Sequence, residues 1–217
     1  MDHKNLISNL KKEGVIAVVT INDIDKTNYL CEALLNGGIN MIELTLRTDN
    51  AFKIINHISK SYADIIVGAG TICSITQLGK AIESGASFGV APGIDPNVIE
   101  ESKKLNFTFA PGICTPSDIQ LALKFELNLL KFFPAEYSGG LNYLKSISAP
   151  FVQNDLKFIP LGGININSAK KYLHSNLVVA IGGSWIASNS LIVDCNWKEI
   201  ENRANEMHKL IATMRKP

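Results

Sequence analysis

Short apolar runs and helix-like stretches alternate eight times along this chain of 217 residues, with no linker between the units. The apolar runs fall at residues 14–19, 41–46, 65–69, 87–90, 107–110, 129–133, 157–160 and 177–181. Such short runs, bounded by turn residues, read as strands buried on both faces, the mark of a parallel sheet covered by helices. Helical stretches follow at 23–36, 49–60, 74–84, 140–147, 168–174 and 196–214, and two more open at Asp95-Pro96 and Thr115-Pro116. A capping side chain followed by proline starts a helix, while Gly37-Gly38 and Gly85 stop one. Eight strand-then-helix units predict an α/β chain folded as a single (β/α)8 TIM barrel. One domain spans residues 1–217, with an N-terminal helix over 5–12 capping the barrel bottom. A doubly wound open sheet is the other arrangement of such units. No GxGxxG opens a helix here, which weighs against it.

Composition narrows the class further. The formal net charge is +1 and 46% of residues are hydrophobic, which gives no reason to expect nucleic acid or an anionic membrane as partner. No apolar run reaches the length of a membrane span, and the start, Met1-Asp2-His3-Lys4-Asn5-Leu6, lacks the apolar core of a signal peptide. Cys31, Cys73, Cys114 and Cys195 lie far apart without a CxxC pair. That spacing predicts neither zinc nor a disulfide framework and suits a reducing cytoplasm.

In a (β/α)8 barrel the chemistry sits where strands run into helices. The sixth run, Leu129-Leu130-Lys131-Phe132-Phe133-Pro134, places one lysine among four large apolar side chains. Burial disfavours the charged form of an amine, and an uncharged amine attacks carbonyls. The plain alternative is a lysine whose ammonium reaches out to water along its own stem. On the second strand Glu43, Thr45 and Arg47 alternate with Leu44 and Leu46, so the polar set shares one face and is expected to point inward. A purely structural ion pair is the competing account of that set. Strands two and six are diametrically opposed and feed the same interior layers, which brings Glu43 toward Lys131. Gly68-Ala69-Gly70-Thr71 offers a hydroxyl at the rim, and the Ala91-Pro92-Gly93 turn, like Ala110-Pro111-Gly112, shapes the mouth. Strands seven and eight end in Leu161-Gly162-Gly163 and Gly182-Gly183-Ser184, where barrels recurrently bind phosphate. His3, His57, His174 and His208 all fall away from the strand tips, which disfavours metal-dependent chemistry at the mouth.

Taken together, Glu43-Leu-Thr-Leu-Arg47-Thr48, Gly68-Ala-Gly-Thr71, Lys131-Phe-Phe-Pro-Ala-Glu136, Gly162-Gly163-Ile164 and Gly182-Gly183-Ser184-Trp185 resemble the 2-keto-3-deoxy-6-phosphogluconate (KDPG) and 4-hydroxy-2-oxoglutarate (KHG) aldolase family. The resemblance covers nearly the whole chain, in order. It implies a homotrimeric class I aldolase that forms a Schiff base with pyruvate and uses neither metal nor cofactor. By that likeness Lys131 is the imine-forming residue and Glu43 the proton shuttle. Arg47 and Thr71 hold the pyruvate carboxylate, Phe133 packs beside the imine, and Gly162, Gly163, Gly183 and Ser184 bind the phosphate. Pro92 and Leu161 complete the expected substrate-binding set. Two positions depart from the family pattern: Leu161 replaces a threonine usual in phosphogluconate-cleaving members, and Asn142 replaces a lysine. The expected reaction is cleavage of KDPG to pyruvate and glyceraldehyde 3-phosphate, with KHG as a possible second substrate. Alternatives are an aldolase for the 6-phosphogalactonate epimer, a metal-free phosphosugar isomerase or epimerase based on Glu43, and a non-catalytic phosphosugar-binding barrel.

Overall fold

The computed structural model describes residues 3–214; residues 1, 2 and 215–217 of the expected domain, and the Met1-Asp2 start, lie outside the described residues. The elements follow the expected alternation: α1 (His3–Glu13), β1 (Val15–Val19), α2 (Ile24–Asn36), β2 (Met41–Thr45), α3 (Ala51–Ser61), β3 (Ile66–Gly70) and α4 (Ile75–Glu83). Then come β4 (Gly89–Val90), α5 (Pro96–Lys104), β5 (Phe109–Ala110), β6 (Gly112–Ile113), α6 (Pro116–Lys124) and β7 (Leu129–Phe132). The chain continues through α7 (Gly140–Ser148), a 3-10 segment (Ala149–Asn154), β8 (Lys157–Pro160), α8 (Ile166–Leu173), β9 (Ile181–Gly183), α9 (Asn189–Val193) and α10 (Trp197–Met214). The predicted caps form. Asp95 accepts from the Asn97 amide at 2.9 Å, and Thr115 with Asp118 closes a reciprocal capping box ahead of Pro116.

The strands are parallel and curl into a partial barrel of two ladders, ordered β5-β4-β3-β2-β1-β9 and β6-β7-β8. The expected fifth strand is thus split into β5 and β6. Pro111 lies between them and has no N–H to give a ladder, although its carbonyl accepts from the Lys131 amide at 2.9 Å. The expected eighth strand is displaced: the ladder forms at Ile181–Gly183, while residues 177–181 touch β8 through a single bridge, Phe158 to Val178. Around that bridge Phe158 donates to the Leu177 carbonyl at 2.8 Å, and Val179 donates to the Phe158 carbonyl at 3.1 Å. The short α9 and the 3-10 segment were not foreseen in the sequence.

Strand alternation sorts the apolar residues into two layers. Val15, Ala17, Ile42, Leu44, Val67, Ala69, Leu130 and Phe132 face outward into the layer between sheet and helices. Ile16, Met41, Phe88, Val90, Leu129, Ile159 and Leu161 face inward and form a second cluster. Leu6 and Leu10 of α1 belong to that inner cluster and are fully buried. Their burial is worth about 1.5–3 kcal/mol each, so α1 is held as a plug across the amino ends of the strands. His3 Nε2 adds a 2.9 Å hydrogen bond to Asn128 Oδ1 at the same end. Among the described residues no helix is long and apolar enough to cross a membrane.

Candidate active site

Because Leu129 and Phe133 alternate with Leu130 and Phe132 in the two layers, Lys131 takes the inward phase on β7. The same logic puts Glu43 and Thr45 inward on β2. The two strands bring Lys131 Nζ within 2.9 Å of Glu43 Oε1, and the side chains are 6% and 1% exposed. An isolated pair of this kind is costly to bury. Glu43 Oε2 is also buried, and it has no partner among the described residues. Gly70 on the neighbouring β3 makes room for this carboxylate, since a Cβ there would strike Glu43 Oε1. Phe133 closes one side, with Lys131 Nζ 5.5 Å from its ring centroid.

The pair lies in a cavity of about 270 Å³ that also receives Arg47, Thr71, Pro92, Phe133, Leu161, Gly162 and Ser184. Arg47 is exposed at the rim, and none of the carboxylates among the described residues pairs with it. Its guanidinium donates to Thr20 Oγ1 at 3.1 Å, which leaves most of its donor fork for a ligand. Thr71 sits at the rim with φ +65°, a strained value for a β-branched residue. That backbone turns its side chain out of strand phase and into the cavity wall. Gly162 and Gly163 have φ of +100° and +79°, which favours glycine at both positions. The carbonyls of Leu161 and Gly162 are engaged by the amides of Ala135 and Glu136, at 2.6 and 3.0 Å. The glycine turn after β8 is thereby fastened to the turn after β7.

Two of the expected site residues, Gly163 and Gly183, are not among those lining this cavity. A Cβ at Gly163 would meet the side chains of Glu136 and Tyr137, and one at Gly183 the ring of Trp185. Three residues outside the expected set do line the cavity: Val18, Thr45 and Gly182. Strand phase marked Thr45, midway between Glu43 and Arg47. Val18 pairs in register with Glu43, which needs the β1–β2 ladder to be known. Among the described residues no group of three or more His, Cys, Asp or Glu side chains is arranged to hold a metal ion.

A buried amine–carboxylate pair beside an unpaired guanidinium suits the capture of an anionic carbonyl compound. Comparison with known proteins agrees with that chemistry: the family model for KDPG and KHG aldolase matches residues 6–203. The chain belongs to this family. The 2-dehydro-3-deoxy-phosphogluconate aldolase of Haemophilus influenzae is 33% identical to it over 96% of this chain and 97% of that protein. The KHG/KDPG aldolase of Escherichia coli is 34% identical over 88% of this chain and 89% of its own length. Among solved structures, KDPG aldolase from Legionella pneumophila, with pyruvate captured at low pH as a covalent carbinolamine, superposes with a TM-score of 0.88. It is 33% identical and covers 93% of this chain and 97% of the other. Membership in the KDPG and KHG aldolase family thus accounts for an α/β fold of curled parallel strands with its polar pair at the carboxyl ends.

Proposed function

We propose that this chain is a class I aldolase that cleaves 2-keto-3-deoxy-6-phosphogluconate to pyruvate and glyceraldehyde 3-phosphate through an imine at Lys131. The observation that carries this reading is the buried pair itself, with Lys131 Nζ 2.9 Å from one oxygen of Glu43 and the other oxygen unpartnered. Glu43 Oε1 takes a proton from the ammonium, and the freed amine adds to the C2 carbonyl to give a carbinolamine. Glu43 returns that proton to the departing hydroxyl, and loss of water leaves a protonated imine that draws electrons from the C3–C4 bond. Glu43, through a water beside Oε2, removes the C4 hydroxyl proton. The C3–C4 bond breaks, the aldehyde departs, and its electron pair neutralises the iminium as an enamine. Glu43 passes that proton to C3, and water hydrolyses the re-formed iminium to pyruvate and the Lys131 ammonium.

Arg47 and Thr71 hold the carboxylate of the 2-oxo acid, Arg47 by a bidentate grip. Phe133 and Pro92 exclude water beside the imine. Gly162 and Ser184 receive the phosphate, and Gly163 and Gly183 shape the two turns from behind. KHG is a second substrate on this reading, and the 6-phosphogalactonate epimer is the competitor at C4 because Leu161 carries no hydroxyl. We further infer that the two ladders complete a (β/α)8 barrel, that three copies assemble into a homotrimer, and that the enzyme works in the cytoplasm. Sedimentation of the purified chain checks the assembly.

Pyruvate and borohydride test the mechanism. A reduced pyruvate adduct is expected on Lys131 alone, and Lys131→Arg abolishes it because a guanidinium keeps its proton. Absence of the adduct in the native chain, with turnover of a phosphosugar, would point instead to a metal-free isomerase using Glu43 as base.

A further inference from the structure

Lys131, Glu43 and Arg47 account for the reacting end of the cavity, yet they leave unexplained a second polar pair beside it. Thr20 follows the last residue of β1 and is half-buried, while Thr45 is the last residue of β2 and is 3% exposed. Their hydroxyl oxygens are 2.8 Å apart. Thr20 Oγ1 is also 3.1 Å from Arg47 Nη2. A guanidinium has donors only, so the threonine must accept from it. A hydroxyl that accepts from a cation becomes a better donor, which favours Thr20 giving its own proton to Thr45. The proton of Thr45 is then left for an acceptor in the cavity that Thr45 lines.

The surrounding loops fix this arrangement. The chain after β1 and the chain after β2 run side by side, joined by Thr48 Oγ1 to the Ile21 carbonyl at 2.9 Å. Asn50 adds two more, donating its backbone N–H to Asn22 Oδ1 and its Nδ2 to the Asn22 carbonyl, each at 3.0 Å. Thr20 is therefore held in place by its neighbours in sequence and presents a stationary acceptor to a long, otherwise unanchored side chain. Both side chains of a simple hydrophobic seam would be apolar here, and an arginine with several rotamers would sample the solvent.

We infer that Thr20 is a positioning residue for the carboxylate clamp: it orients Arg47 across the mouth and, through Thr45, adds a hydroxyl donor aimed at the same 2-oxo acid carboxylate. The inference rests on the proposed aldolase reading, since the clamp needs a 2-oxo acid to hold. Thr20→Val keeps the shape of the side chain and removes the acceptor. The amount of pyruvate needed for half-maximal borohydride labelling of Lys131 rises about tenfold in that variant, the usual worth of a hydrogen bond to a charged group. Labelling at saturating pyruvate still reaches the native extent, and Thr20→Ser restores the native half-saturation. In an Arg47→Met background the same Thr20→Val change has little further effect, because the two residues act as one unit.

The outcomes separate cleanly. If the native chain labels and Thr20→Val shows native half-saturation, the positioning role is wrong while the imine chemistry stands. If Thr20→Val weakens pyruvate equally with and without Arg47, the threonine acts on stability or shape and not through Arg47, and the inference again falls. If the native chain itself fails to label, the aldolase reading fails and carries the clamp with it.

Discussion

Gly70 and Glu43 share one volume: a side chain on residue 70 would occupy the space filled by the Glu43 carboxylate. Gly70 has an ordinary backbone conformation, as it is absent from the residues of positive φ, so its small size is what the site uses. Gly70→Ala is therefore expected to fold, at a cost of about 1–3 kcal/mol for overpacking, and to push Glu43 off Lys131. Borohydride labelling and turnover should both fall by about tenfold or more. A thermal melt taken alongside separates lost stability from lost geometry, and full activity in the folded variant would show that the pair tolerates displacement.

Glu43→Gln keeps the shape and removes the base. Turnover is expected to drop by about 10²–10⁴-fold, the range for a positioned acid–base group. The pyruvate adduct should still form, more slowly, because the amine is intact. Comparing single-turnover cleavage with adduct formation distinguishes the two steps, and near-native turnover would reduce Glu43 to a structural partner.

Leu161 is 4% exposed and leans on Gly182, where a Cβ would strike its side chain. It gives the cavity wall an apolar surface where the family resemblance predicts a threonine hydroxyl. An unpaired substrate hydroxyl costs about 1–3 kcal/mol, so discrimination at C4 is expected to be weak. Leu161→Thr should raise kcat/KM for the gluconate-derived substrate by about tenfold, equal to about 1.4 kcal/mol. Assays on both C4 epimers decide the matter. A less stable variant with an unchanged epimer ratio would mean that Leu161 only packs.

Cys31 lies fully buried on α2, and burial, aided by the nearby Glu32, pushes its thiol from an ordinary 9.0 up to about 12. The folded chain thus holds this proton more tightly than the unfolded one. The stability that goes with it is complete below pH 9.0 and is lost as pH rises from there toward about 12. Tyr172 shifts in the same direction, through burial and its hydrogen bond to Glu136. Urea midpoints should fall across this alkaline window, and Cys31→Ala should flatten part of the fall. In the native state thiol reagents should modify the exposed Cys73 and Cys195, while Cys31 reacts only on unfolding.

Much of this was legible in the residues because period-two alternation is a local property. The inward phase of Glu43, Thr45 and Lys131 follows from their own strands, and the caps at Asp95 and Thr115 are set by adjacent side chains. What escaped depends on partners distant in sequence. Whether residues 177–181 or 181–183 carry the ladder is decided by pairing with β1, where Ile16 meets Gly182. Glycine turns look alike in sequence, so it was not legible that the missing side chains of Gly163 and Gly183 make room for Glu136 and Trp185. Thr20 could not be singled out, because its importance comes from Arg47, which the β1–β2 register brings beside it.

The plug formed by Leu6 and Leu10 has a kinetic consequence. It closes the end of the sheet opposite the mouth, so traffic to Lys131 passes through the rim where Arg47 and Ser184 stand. A sugar acid entering head first buries its keto end and leaves its phosphate end outermost. After cleavage the outer fragment leaves first, while the inner one stays tethered to the lysine. On the proposed imine mechanism the expected order of release is aldehyde before pyruvate, with pyruvate loading first in the synthetic direction. A shaft stopped at one end enforces that queue without any moving part.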